Sequence, residues 1–162
     1  MDASRQFCTF VLNGNLFGLP VPQVQEVIRF QKMTRVPLAP PVVAGMINLR
    51  GQIVTAIDLR MRLGLPPRKA GEQPVNVVVR SAEGAVSLLV DEIGDVIEVK
   101  DETFEPPPHT VNLHDGMIRG VHKLQAGLLL VLDTERAVEV AMMPPGMHAV
   151  NATRENDRRG EK

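Results

Sequence analysis

The segment Val24-Gln25-Glu26-Val27-Ile28 recurs as Ile93-Gly94-Asp95-Val96-Ile97, each position 69 residues on, and both copies carry an acid followed by Val-Ile. The surroundings repeat with it. A strand-like run from Gln6 to Leu12, a turn at Asn13-Gly14-Asn15 and a second run from Leu16 to Val21 open the chain. Val75 to Val79, a turn through Ala82-Glu83-Gly84 and Val86 to Val90 restate that hairpin. Gly45-Met46-Ile47, Arg50-Gly51 and Ile57-Asp58 are echoed by Gly116-Met117-Ile118, Arg119-Gly120 and Leu132-Asp133, an alignment that gives the second copy a different turn length. Self-similarity over half a chain marks a duplicated unit. One copy alone is too small to bury a good core, so the expectation is two lobes of like topology sharing an interface.

The runs are short, rich in valine, leucine and isoleucine, and bounded by turn residues, with no helical period sustained beyond two turns. This predicts an all-β chain of two small five-stranded barrels with short helices, and closing a sheet on itself removes the exposed edges such strands would offer. Asp58 stands where an N-cap belongs, ahead of a short helix through Leu59, Met61 and Leu63 that Gly64 and Pro66 end. The proline-containing polar stretch from Pro66 to Glu72 reads as the connection between lobes, the first spanning about 13–66 and the second about 72–140. The stretch from Met142 opens with Met-Pro-Pro-Gly, and Asn151 to Lys162 alternates charges, so 141–162 reads as a disordered tail.

Composition removes several classes of function. A formal charge of −1 and the absence of any clustered lysine or arginine face argue against a nucleic acid. Five phenylalanines with no tryptophan or tyrosine leave little for base stacking. Cys8 is the single cysteine, in an apolar strand-like run where a small buried hydrophobe is the expected role. No apolar block at the start suggests a leader and no run approaches membrane-spanning length, so a cytoplasmic protein without direct membrane insertion is expected.

Met46, Ile47 and Leu49 approach a turn at Arg50-Gly51, and Ile53, Val54 and Ile57 leave it. Gly51 supplies the positive φ of a tight reversal. Arg50 is then a long cation on an apolar hairpin, either a solvated turn residue or a contact residue on a rigid mount. The phrase Gly45-Met46-Ile47-Asn48-Leu49-Arg50-Gly51-Gln52-Ile53, followed by Asp58-Leu59-Arg60, resembles the signature of the CheW family, adaptors that join chemoreceptors to the histidine kinase CheA. It departs at Thr55-Ala56, where the family usually has proline and an aliphatic residue.

The resemblance covers about residues 6 to 140 and implies a single CheW-like domain over 1–140, made of two packed five-stranded Src-homology-3-like barrels with the N-terminal strand, 6–12, joining the second lobe. It implies two partners: the regulatory domain of a CheA-type kinase, on the outer edge of the second lobe, and the cytoplasmic tip of chemoreceptors at membrane-associated arrays. It places receptor binding in an apolar groove between lobes at positions matching Val24 and Val96, to which the repeat adds Val27 and Ile93. Glu26 and Arg50 match an acid and a cation that matter for receptor and kinase control, and are expected to face each other. Gly45 belongs to the same signature.

Catalytic and metal patterns are weak. His109, His114, His122 and His148 are the candidate bases or ligands, but the first two sit in a Pro106-Pro107-Pro108 loop without a cysteine near, and exposed loop histidines are the ordinary reading. Ser4, Ser81 and Ser87 lack a nucleophile elbow. Asp91-Glu92 and Asp101-Glu102 fall at strand ends or turns, where solvated carboxylates are expected. With no phosphate-cradling glycine loop, neither an enzyme nor a cofactor is expected. A β-barrel hydrolase or sugar-binding lobe and a free-standing kinase regulatory lobe are the alternatives, and CheV-like adaptors, which add a receiver domain, fit less simply.

Overall fold

The structure, a computed structural model, describes residues 3–82, 84–107 and 116–139, which form eleven strands and two short α-helices joined by turns and loops. The strands are β1 (Ser4–Leu12), β2 (Asn15–Pro20), β3 (Val24–Ile28), β4 (Val43–Leu49), β5 (Gln52–Asp58), β6 (Val75–Ser81), β7 (Gly84–Val90), β8 (Glu92–Lys100), β9 (Phe104–Glu105), β10 (Ile118–Leu124) and β11 (Gly127–Leu132). The helices are α1 (Leu59–Arg62) and α2 (Thr134–Val138). His109, His114, His148 and the 141–162 tail lie outside the described residues.

The strands form two sheets, one six-stranded in the order β8-β1-β2-β11-β10-β9 and one five-stranded in the order β3-β6-β7-β5-β4. The sixth strand, beyond the five expected, is the two-residue β9. Each sheet curls until its edges meet. In the six-stranded sheet the chain runs from edge strand β8 through a 3-10 turn at Asp101–Thr103 straight into β9, on the other edge. In the five-stranded sheet Thr34, just past edge strand β3, makes two backbone hydrogen bonds of 2.8 and 2.7 Å to Met46 on the opposite edge strand β4.

The duplication is obeyed strand by strand. β3 pairs with β6 through Val24↔Val79 and Val27↔Val77, and β8 pairs with β1 through Ile93↔Phe10 and Val96↔Cys8, each with a bulge at the same place. β5 runs parallel to β7 as β11 runs parallel to β2. The two repeats exchange their hairpins: β1–β2 completes the barrel of the second repeat, and β6–β7 completes that of the first. The partition expected at 13–66 and 72–140 is therefore corrected. The N-terminal strand does join the second repeat, but β2 goes with it, and residues 75–90 belong with β3, β4 and β5.

A second correction concerns the echo of the hairpin signature. Gly45↔Ala56 in one repeat corresponds to Gly120↔Val131 in the other, Asp58 corresponds to Asp133, and each acid caps its helix by accepting backbone N–H bonds, at 3.1 Å from Arg60 and 3.2 Å from Arg136. The counterpart of Gly45 is thus Gly120, not Gly116. The counterpart of the Arg50-Gly51 turn is Gln125-Ala126, and both turns have two residues.

Exchange explains why the hairpin strands read as unbroken apolar runs. Val77 and Val79 face a core shared by both barrels, with Phe10, Leu12, Phe17, Leu19, Leu88 and Leu132, while Val78, between them, is buried on the opposite face. Strands buried on both sides lose alternation. Phe10 and Phe17 stack at 5.8 Å in this shared core, and each fully buried side chain of this size stabilises by about 1.5–3 kcal/mol. Phe7, Val99, Leu129 and Val131 fill the inside of the six-stranded barrel.

Candidate functional site

The β4–β5 hairpin carries its two-residue turn with Arg50 at φ +51° and Gly51 at φ +88°. Two positive φ angles match the right-handed twist of the flanking strands. The glycine takes this conformation freely, but an arginine there is strained, and the Asn48 side chain holds the turn by accepting from the Gly51 N–H at 2.8 Å. Arg50 Nη2 donates to both carboxylate oxygens of Glu26, at 2.5 and 2.6 Å, so the expected pair forms. It links edge strand β3 to the β4–β5 turn. The arginine side chain is 73% exposed, so the pair contributes about 0–1 kcal/mol and serves to aim the guanidinium more than to hold the fold.

Gly45 has a packing reason of its own. A Cβ there would sit 2.8 Å from Thr34 O and 2.9 Å from Met33 Cβ, so the closing contact needs glycine. Gly120 answers it in the other barrel, where a Cβ would stand 2.5 Å from Glu105 O and inside the Phe104 ring.

Val24, Val27, Ile93 and Val96 all lie on the two edge strands, β3 and β8. Residues directly opposite in an antiparallel pair share a face, and their partners Val79, Val77 and Phe10 belong to the shared core. Val24, Val27 and Ile93 therefore project on the faces that bear the shared core, while Val96 lies opposite Cys8, outside that core cluster. Val24 is half-buried against that core, whereas Val27 (38%), Ile93 (38%) and Val96 (58%) are exposed.

One cluster escaped the sequence reading. Asp91, expected to be a solvated turn acid, is mostly buried at the end of β7. It accepts from Arg60 Nη2 at 2.6 Å, Arg60 Nε at 2.8 Å, Arg68 Nη2 at 3.2 Å and the Asn13 backbone N–H at 3.0 Å. Burial works to raise its pKa, but the hydrogen bonds from Arg60 and Asn13 and the two nearby guanidinium charges outweigh it and hold the carboxyl below its ordinary value. The cluster ties α1, the 66–72 connection and both exchanged hairpins together. Arg60 of the Asp58-Leu59-Arg60 phrase was the available signal. His122, one of the four candidate histidines, lies on β10 and is almost fully buried.

Among the described residues no group of three or more His, Cys, Asp or Glu side chains could hold a metal ion, and no helix is long and apolar enough to cross a membrane.

Residues 6–142 match the family described as the CheW-like domain. Chemotaxis protein CheW of Bacillus subtilis is 34% identical over 140 residues, covering 86% of this chain and 90% of the relative. Protein PilI of Pseudomonas aeruginosa is 29% identical over 123 residues, 74% of this chain and 68% of its own. Among solved structures, the scaffolding protein TtCheW from Thermoanaerobacter tengcongensis superposes with a TM-score of 0.77 at 27% identity, covering 86% of this chain and 94% of that one.

Proposed function

The chain belongs to the CheW-like domain family and is a chemotaxis coupling adaptor, and from that premise we propose which partners it joins and through which surfaces. The partners are the regulatory domain of a CheA-type histidine kinase and the cytoplasmic tip of chemoreceptors. The protein works in the cytoplasm, at membrane-associated arrays, holding both in register and catalysing no reaction. Residues 1–140 act as one domain, and 141–162 as a tail that coupling does not need.

The receptor surface is the junction bordered by Val24, Val27, Ile93 and Val96. The observation that carries this reading is the exposure of three of the four on edge strands, in a chain whose hairpin strands bury both faces. Exposed apolar edges invite a partner, and an amphipathic helical hairpin lays an apolar face into such a surface. Arg50, aimed by Glu26, reports receptor engagement to the kinase, and Gly45 acts through the backbone by keeping β4 against the chain after β3. The kinase contact lies on the outer edge of the six-stranded barrel.

Reconstitution tests the reading: receptor-bearing membranes, purified kinase and this protein are mixed, sedimented and assayed for kinase autophosphorylation. The expected result is kinase in the pellet, and activated, only when the protein is present. Kinase recruitment that is indifferent to the protein would overturn the proposal.

A further inference from the structure

One repeat builds both barrels, so every inner position has a counterpart, and the mouth of the six-stranded barrel breaks the correspondence. A pocket of about 290 Å³ opens there, with Arg5, Asp101, Arg119 and His122 as polar lining and Phe7, Phe104 and Val131 among its apolar walls. The register that matches Gly45 to Gly120 places Ala44 opposite Arg119, Ile47 opposite His122 and Ala56 opposite Val131, and the hairpin exchange places Pro74 opposite Arg5 and Asn76 opposite Phe7. In the five-stranded barrel Ile47, Ala56, Pro74 and Asn76 are buried, and Asn76 is satisfied by Ser87 Oγ and Arg29 O. A barrel of this fold closes here with uncharged residues. The two arginines and the histidine answer some other requirement.

His122 is held for one task. Its ring lies between Phe7 and Phe104, at centroid distances of 5.4 and 5.3 Å. Thr103 Oγ1 donates its single hydrogen to Lys100 O at 2.9 Å, so its 2.8 Å contact with His122 Nδ1 must be accepted from an Nδ1–H. That leaves Nε2 with a free lone pair. Burial pushes the histidine pKa down, with Arg5 adding to it and Asp101 opposing, which keeps the ring neutral. Arg5 is paired with Asp101 at 3.2 Å. Arg119 makes no hydrogen bond or ion pair among the described residues, so the pocket carries one uncompensated positive charge.

We propose that this pocket binds a small organic acid with an apolar body, its carboxylate on Arg119, its body against Phe7, Phe104 and Val131, and a neighbouring hydroxyl or amino group donating to His122 Nε2. The volume is that of roughly ten water molecules, enough for a ring and a short acid side arm. A bare inorganic anion would leave the aromatic walls unused. Free metabolites and the last residue of a polypeptide present the same chemistry, and the experiment separates them.

The test uses the full chain, with the His122 ring and Phe104 resonances followed by NMR during titration with phenyllactate, with its uncharged diol analogue phenylpropanediol, and with an acetylated tripeptide ending in phenylalanine. Saturable shifts with phenyllactate are expected, weakened about tenfold or more for the diol and for the Arg119→Gln variant. Arg119 is exposed, so the variant should melt as the parent does. Tighter binding of the tripeptide than of phenyllactate would identify a polypeptide terminus as the source and supports the site. No saturable shift with any probe up to roughly 10 mM, or equal binding by Arg119→Gln, overturns it.

Discussion

Replacing Asp91 by asparagine keeps shape and volume while removing the one anion shared by Arg60 and Arg68. Side-chain exposure is only 16% for Asp91, 12% for Arg60 and 11% for Arg68, so the guanidinium groups would be left poorly solvated and without their paired carboxylate. Breaking a buried pair by removing one partner costs about 3–5 kcal/mol, and the residual solvent contact places this site at the lower end. Arg68 Nε is already buried without a partner, so Arg68 has little spare hydrogen bonding to fall back on. A loss of about 3 kcal/mol corresponds to a fall in Tm of roughly 6–12 °C for a chain of this size. The pH dependence has a definite sign. A carboxyl held below its ordinary pKa contributes stability that is present above the unfolded value of about 3.9 and is lost as pH falls through the folded one. Asp91→Asn should therefore cost most at neutral pH and flatten the acid limb of the stability curve. Urea unfolding monitored by circular dichroism across pH 3 to 7 measures both effects. A change under about 1 kcal/mol at neutral pH, or an unchanged acid limb, would show that the cluster behaves as a surface ion pair and would refute the argument.

Three further outcomes are expected. Arg50→Gly relieves an arginine from a left-handed conformation, so Tm should hold or rise slightly while receptor-coupled kinase activation falls; unaltered activation would make Arg50 a turn residue only. Gly45→Ala and Gly120→Ala each push a methyl into the strand-closing contact and should destabilise by about 1–3 kcal/mol in thermal melts, whereas neutral effects would mean that the edges are not held together there. Removing residues 146–162 should change neither melting nor kinase coupling, and loss of soluble protein would show that the tail packs on a barrel.

The duplication was legible because apolar periodicity and turn residues recur at a fixed spacing, and the Asp58 cap because its chemistry is local. The hairpin exchange was not. The unbroken apolar run of β6 says that both its faces are buried but not which β3-like strand it meets, and β1 and β6 are similar enough for either pairing to satisfy the pattern. The Gly116 misalignment has the same root: matching Gly-Met-Ile by letters ignored the two-residue turn, which is fixed by the Leu49↔Gln52 and Leu124↔Gly127 pairings. Asp91 looked like a solvated turn acid because its partners Arg60 and Arg68 are 31 and 23 residues away. The Glu26–Arg50 pair, 24 residues apart, was foreseen only through family resemblance.

The central claim is that the exposed apolar residues at the junction of the barrels take the receptor while the outer edge of the six-stranded barrel takes the kinase. Val96→Lys tests it most directly: Val96 is 58% exposed, so a lysine there can reach water without disturbing a core. Burial of one valine-sized contact stabilises by about 1.5 kcal/mol or more, and a charge in its place adds a desolvation cost. Affinities of the parent and the variant for receptor fragment and for kinase regulatory domain should be measured side by side by calorimetry. The account predicts an unchanged melt, unchanged kinase affinity and receptor binding weakened at least tenfold; receptor binding equal to the parent's would contradict it.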